Sequence, residues 1–355
     1  MVHILVTGGS GFLANALITT LLSRGHSIVT TVRTTEKARS LLAQYPDIAS
    51  DRLRCKIVPD IAAADAFDDV VRSSSSGSVS DPLLSAVVHT ASPFHYSIAN
   101  AKKDMFDPAV NGTVGILKSV HQYAPSVKRV VITSSFAAMF NPTKPAGSKY
   151  SEADWNPVTW DDAESPANAH GQSGYRMSKA LAEKEAWAFM EKEKPGFTLT
   201  VLNPSLIFGP VSESLKSLDE VNTSNQRMRD FMTGASKEKC PPTASQFWVD
   251  VRDAALAHAV AVEKDETAGK RYFLTAGSFC NVEIVEAIGA EFPDLQDRLP
   301  TGEALKDGEY PPGGPKYGFD NSASVNELGI KYRSLQESVA DTIRSLQVIQ
   351  KRISV

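Results

Sequence analysis

Cysteine is scarce in this chain: three residues among 355, Cys55, Cys240 and Cys280, widely spaced and odd in number. Such usage argues against a disulfide scaffold and predicts reduced thiols in a cytoplasmic protein. Long apolar runs are missing as well. None approaches the ~20 residues that cross a bilayer, so no membrane partner is expected. The N-terminal MVHILVTGG passes directly into a strand-like run and leaves no room for a signal peptide. Neither sign of charge dominates: 37 Lys and Arg stand against 41 Asp and Glu, a net −4. That balance speaks against nucleic acid as the main partner. The seven histidines form no HExxH or Cys/His cluster, so no metal site is inferred. No internal repeat is present.

What remains is a chain with 42% hydrophobic and 22% charged residues, enough to bury one large core or two unequal ones. Short β-branched runs alternate with amphipathic stretches. Strands are predicted at HILVTG (3–8), SIVTTVR (27–33), CKIVPD (55–60), AVVHTAS (86–92), RVVITSS (129–135), FTLTVLNP (197–204) and FWVDV (247–251). Most are apolar on both faces, as parallel strands covered by helices on each side must be. Helical stretches fit between them: FLANALITTLLSRG, TEKARSLLAQY, the region from Met105 to Tyr123, and SKALAEKEAWAFMEKEK. This alternation predicts an α/β fold with a doubly wound parallel sheet of the Rossmann type. SSSSGSVS (73–80) reads as a surface loop. Beyond Pro204 the pattern loosens, and YPPGGP (310–315) interrupts it. The expected organisation is a dinucleotide-binding domain over 1–204 with a returning segment near 247–275. A smaller C-terminal lobe, binding substrate, is expected from 205–246 and 276–355.

VTGGSGFLANAL sets Gly8, Gly11 and Ala14 at a G-x-x-G-x-x-A spacing between the first strand and the first helix. Glycine allows the tight turn and the close approach of a pyrophosphate, whose charge then rests on the helix N-terminus. The third position needs only a small residue for close helix–strand packing. A bland tight turn explains many isolated glycine patterns. Here the preceding strand, the following helix and the first-strand position agree on a dinucleotide. Strand two then ends in TVRTTEK, with Arg33 and Lys37 where an NAD site usually has an acid. Arg33 suits the 2′-phosphate of NADPH through its planar fork, and Lys37 adds a second positive charge. Two solvated cations on a loop are the plain alternative, and their position at the strand end favours NADPH. Asp60, closing strand three in VPDI, is placed either to accept from the adenine amino group or to cap its own loop.

Tyr175 and Lys179 stand one helical turn apart and project from one face. A nearby ammonium stabilises phenolate, lowering the tyrosine pKa from about 10 towards working pH. Such a tyrosine gives a proton to a carbonyl oxygen as hydride arrives. Y-x-x-x-K also occurs by chance on exposed amphipathic helices. RVVITSS adds Ser134 and Ser135 at the carboxyl edge of strand five, where open α/β sheets bind ligands. Ser135 is placed to hydrogen-bond the oxygen that Tyr175 protonates.

With these landmarks the chain resembles the extended short-chain dehydrogenase/reductases. The similarity is to the dihydroflavonol-4-reductase-like branch and its fungal NADPH-dependent methylglyoxal reductase type. The motifs TGGSGFLA, VRTTEKA, VPDI, HTASPF, PAVNGT, VVITSS, YRMSK, LNPSLIFGP, VNTS and VDVRDAALAH run in family order over nearly the whole chain. The resemblance implies reduction of a small-molecule ketone or aldehyde by NADPH, with Ser135, Tyr175 and Lys179 as the catalytic triad. It implies cofactor contacts at Gly8, Gly9, Ser10, Gly11, Phe12, Leu13, Arg33, Lys37, Asp60, Ile61, Tyr175, Lys179, Pro204, Ile207 and Ser224. Pocket walls would come from Phe94, Phe136 and Leu206, each of which also suits core packing. Ala14 replaces a glycine common in extended members, and Phe136 and Leu206 stand at positions that vary with substrate. Rival readings on the same fold are a hydroxysteroid or sugar-nucleotide enzyme, or a non-catalytic NADP-sensing regulator. Monomer and homodimer both fit the sequence.

Overall fold

The computed structural model describes residues 2–48, 50–75, 83–92, 102–164 and 171–353. Strands β1 (His3–Thr7), β2 (Ser27–Val32), β3 (Leu53–Ile57), β4 (Ala86–His89) and β5 (Arg129–Thr133) come first. They are followed by β6 (Lys149–Tyr150), β7 (Thr198–Pro204), β8 (Leu206–Phe208), β9 (Phe247–Asp250), β10 (Arg271–Leu274), β11 (Gly277–Ser278) and β12 (Gly318–Phe319). Helices α1 (Phe12–Ser23), α2 (Thr35–Leu42), α3 (Asp68–Ser73), α4 (Asp107–Tyr123), α5 (Trp160–Glu164) and α6 (Gly171–Glu193) lie among the early strands. Later come α7 (Gln226–Thr233), α8 (Val251–Glu263), α9 (Asn281–Glu291), α10 (Ser322–Asn326) and α11 (Leu335–Ile353).

Seven strands form one sheet in the order β10-β7-β5-β4-β1-β2-β3. Every pairing from β3 across to β7 is parallel, in register at Val29↔Arg54, Ile4↔Ile28, Leu5↔Val87, Val87↔Val130 and Val131↔Thr200. The order reverses between β1 and β4, the topological switch point of a doubly wound fold. β1 and β2 are buried along their whole length, because helices cover both faces. On one face Leu5, Val29, Val87, Val130 and Leu199 pack with Ile116 and Leu117 of α4 and Phe189 of α6.

α6 is the longest helix of this layer. Its run of Ala, Leu, Glu, Lys and Met favours helix. Met177, Ala180, Leu181, Ala186 and Phe189 recur at helical spacing and bury its inner stripe. It ends where Lys194 takes φ +44, a left-handed exit ahead of Pro195 and Gly196.

The chain divides into two compact units: residues 1–143, 152–203 and 255–273 form one, and 144–151, 204–254 and 274–355 the other. In the second unit β8 pairs with β9 in parallel, and β11 with β9 in antiparallel fashion. β6 pairs with β12. Phe208 stacks on Trp248 at 6.0 Å. Arg252 binds Asp250 at 2.9 Å and Asp341 at 2.6 Å.

Four details depart from the sequence reading. FWVDV belongs to the small sheet, and the last position of the large sheet is taken by β10. In FWVDV, Trp248 stacks on Phe208 and Phe247 meets Tyr150 and Phe319 edge-on, rather than the main sheet's core. Residues 144–151 go with the second unit, because β6 finds its partner in β12. β3 ends at Ile57, so Asp60 heads a turn beyond the strand instead of closing it. In the serine-rich run, Ser73 ends α3 and Ser74 is fully buried, so that part is no surface loop, while positions 76–80 lie outside the described residues.

Candidate active site

The β1–α1 turn is built from backbone. Gly8 sits at φ +77, a conformation side chains rarely adopt, and an added Cβ there would stand 3.0 Å from Ala91. Gly9 donates its N–H to Thr31 O at 2.8 Å, and an added Cβ would meet Thr30 Oγ1 at 2.2 Å. Gly11 donates to Gly8 O at 2.8 Å and starts α1 with no side-chain cap and no acid in the first turn. The helix therefore presents bare N–H groups and an uncompensated positive dipole end. Ser10 and Gly11 are exposed, Phe12 is half-buried and Leu13 belongs to the core.

Arg33 and Lys37 flank the start of α2, both exposed, and neither makes an ion pair among the described residues. The helix is capped instead by Thr34 Oγ1, which accepts from the Lys37 N–H at 3.3 Å. Asp60 accepts from the Ala62 N–H through Oδ1 at 2.9 Å, so one oxygen does cap the loop. Ile61 buries its side chain, which leaves only its backbone to face a ligand.

Thr7, at the tip of β1, ties the strand ends together. Its Oγ1 accepts from the Ala91 N–H at 3.2 Å and lies 2.9 Å from His89 Nδ1. His89 is buried edge-on against Phe67. Burial first, and the Lys179 ammonium second, push its pKa down to about 3, so the ring is neutral at ordinary pH.

Ser135 follows β5 in extended conformation, and its Oγ accepts from the Ala137 N–H at 3.1 Å. An oxygen used as acceptor keeps its O–H free to donate. Tyr175 is half-buried in the first turns of α6. Lys179 lies one turn further on, partly reaching solvent but surrounded by protein. Desolvation pulls its pKa down to about 8, against the opposing pull of Glu183. Asn203, fully buried in β7, links the groups: its Nδ2 donates to Ser135 O at 3.2 Å and to Glu183 Oε2 at 2.7 Å. Glu183 was not singled out by the sequence, where it looks like one more acid on an amphipathic helix.

Phe136 opens the short helical turn after Ser135, stacked on Phe273 at 5.4 Å and edge-on to Phe140 at 6.1 Å. Arg176 covers Phe140 at 4.1 Å. Phe94 lies outside the described residues. Pro204, Leu206, Ile207 and Ser224 belong to the second unit. There Leu206 and Ile207 pair with Trp248 and Val249, and Ser224 sits in the turn Thr223–Asn225.

The profile of the NAD dependent epimerase/dehydratase family matches residues 4–274. Ketoreductase azaE of Aspergillus niger is 43% identical over 97% of each chain. The putative NADPH-dependent methylglyoxal reductase GRP2 of Candida albicans is 35% identical over 97% of this chain and 98% of its own. The crystal structure of yeast methylglyoxal/isovaleraldehyde reductase Gre2 complexed with NADPH superposes with a TM-score of 0.86. It is 32% identical and covers 99% of both chains.

Proposed function

The chain belongs to the NAD dependent epimerase/dehydratase family, and from that premise we propose that it is an NADPH-dependent reductase of small ketones and aldehydes. Although the family is named for NAD, β2 here is followed directly by Arg33 rather than by an acid, which supports NADPH. The turn from Gly8 to Leu13 would hold the pyrophosphate on the open end of α1, since a side chain at Gly9 would collide with Thr30. Arg33 and Lys37, which make no ion pair among the described residues, would take the 2′-phosphate. The bound cofactor supplies the hydride.

The remaining chemistry belongs to the chain. Tyr175 gives its phenolic proton to the carbonyl oxygen, and the Lys179 ammonium stabilises the phenolate left behind. Ser135 donates its O–H to the same oxygen and so fixes the carbonyl's orientation. His89, held neutral by burial, is no acid at working pH. Phe136 would wall an apolar pocket that selects by shape. Free thiols at Cys55, Cys240 and Cys280 support a cytoplasmic setting, and a monomer or a homodimer suits this chemistry equally.

One observation carries the reading: a lysine with its pKa held near 8 stands one turn from a half-buried tyrosine on α6. Tyr175→Phe removes only the hydroxyl, so folding and NADPH affinity should survive while carbonyl reduction falls by about 10²–10⁴-fold. Turnover with a ketone or aldehyde, measured beside NADPH fluorescence titration, decides it. A variant that turns over like wild type would sink the catalytic role.

A further inference from the structure

Glu183 lies two turns beyond Tyr175 on α6 and is 1% exposed. Such burial of a carboxylate is costly unless every oxygen is met. Here each one is. Oε2 accepts from Ser134 Oγ at 2.5 Å and from Asn203 Nδ2 at 2.7 Å, while Oε1 meets Arg271 Nε at 2.5 Å. Arg271 is itself fixed from several sides. Its Nη1 donates to the carbonyls of Glu152 and Asp154, and its guanidinium lies 3.7 Å over the Trp155 ring. One carboxylate thus joins α6 to the residue after β5, to β7 and to β10. Through Asn203 it also reaches the Ser135 carbonyl at 3.2 Å.

We propose that Glu183 is a positioning residue for the reaction: it clamps the Tyr175–Lys179 face of α6 to the carboxyl ends of β5 and β7 and balances the Lys179 charge. The inference rests on the roles given to Tyr175 and Lys179 above. Two observations carry it. First, the partners of Glu183 are neighbours of catalytic groups: Ser134 adjoins Ser135, and Asn203 holds the Ser135 backbone. Two of its three partners thus lie at the carboxyl ends of β5 and β7, beside Ser135. Second, among the described residues the charges acting on Lys179 and Glu183 are few. Lys179 faces Glu183 on its own helix and the neutral His89 from β4. Glu183 faces Arg271 from β10, while Ser134 and Asn203 bring no charge. Removing either charged partner should therefore move the Lys179 ionisation in opposite directions.

The test is the pH dependence of carbonyl reduction at saturating NADPH for the full chain. Wild type should lose activity as pH rises through about 8, where the Lys179 ammonium is lost. Glu183→Gln keeps an acceptor for Ser134 and Asn203 but loses the charge. It should lower kcat by about 10- to 100-fold with the carbonyl KM changed by less than about 3-fold. Its alkaline limb should fall by about one pH unit. Arg271→Gln should move the same limb upward. A Glu183→Gln protein with wild-type kcat, or with reduced kcat and an unshifted limb, overturns the proposal. Where the charge variants fail to fold, Ser134→Ala carries the test. It removes one neutral donor and should cut kcat by about 3- to 10-fold with the limb unmoved, and an unchanged kcat there overturns the clamp. If Tyr175→Phe turns over like wild type, the catalytic reading has failed. If Tyr175→Phe is dead and Glu183→Gln is normal, only this inference has.

Discussion

Arg33 stands exposed just past β2 and makes no ion pair among the described residues, which suits its fork to a phosphate. Arg33→Ala should therefore raise the KM for NADPH while barely changing that for NADH. A charge-assisted bidentate contact is worth ~1.5–3 kcal/mol, or about 10- to 150-fold in affinity. Steady-state kinetics with both cofactors checks this, and a wild type that prefers NADH, or an equal effect on both, refutes it. At this scale the sequence offers candidates where position alone marks a residue, as for Arg33, Tyr175 and Lys179. It was silent on Glu183. The sign and spacing of that acid fit a solvated helix face, and its ion-pair partner Arg271 lies 88 residues away. Asp60 falls between these cases: the sequence left adenine contact and loop cap open, and the cap to Ala62 is present.

The β1–α1 turn is packed tightly because two neighbouring elements, β2 and α2, leave it no room. Thr30 on β2 donates its hydroxyl to Val6 O on β1 at 2.8 Å and is fully buried. Leu41 of α2 closes the other side, 3.2 Å from where a Gly9 Cβ would be. Gly9→Ala would therefore push β2 and α2 away from the turn. A destabilisation of ~1–3 kcal/mol is expected, as for other overpacked cores, together with a raised KM for NADPH. Urea unfolding and cofactor titration measure the two effects. Unaltered stability and unaltered affinity would mean that the turn is looser than its packing indicates. Elements of this kind were legible in the sequence because their signals are local: a buried strand, a glycine turn, a helical period. Their ends were less so. β3 stops at Ile57 and not at Asp60, because the VPDI turn, which no periodicity announces, takes over.

Across the whole molecule, long-range pairing separates what was readable from what was not. The order of the large sheet follows from alternating strands and helices, since crossover rules leave few alternatives. The second unit rests on strands of two to four residues brought together across the chain, as when Gly318 pairs with Lys149. Runs so short carry no period, so nothing in FWVDV marks it for the small sheet rather than the large one. Long-range contact also governs the last expectation, which concerns stability in acid. Glu263, at the end of α8, accepts from Arg24 Nε at 2.7 Å and lies 2.9 Å from His26 Nε2. It thereby joins α8 to the exit of α1 and the entry of β2. Hydrogen bonding from Arg24 first, then from His26, holds its carboxyl down at about 2, below the usual 4.5. A depressed carboxylate contributes its stability above the unfolded pKa and loses it as pH falls through the folded one. The window is therefore from about 4.5 down to about 2. Because the pair is substantially solvated, the contribution is discounted to ~0.5–1.5 kcal/mol at neutral pH. Glu263→Gln should unfold at lower urea than wild type at pH 7. The gap should narrow steadily below pH ~4.5 and shrink in ~1 M salt, where the Debye length is about 3 Å. A gap that is absent at pH 7, or that widens on acidification, would show that this contact does not hold α8 to the α1–β2 corner.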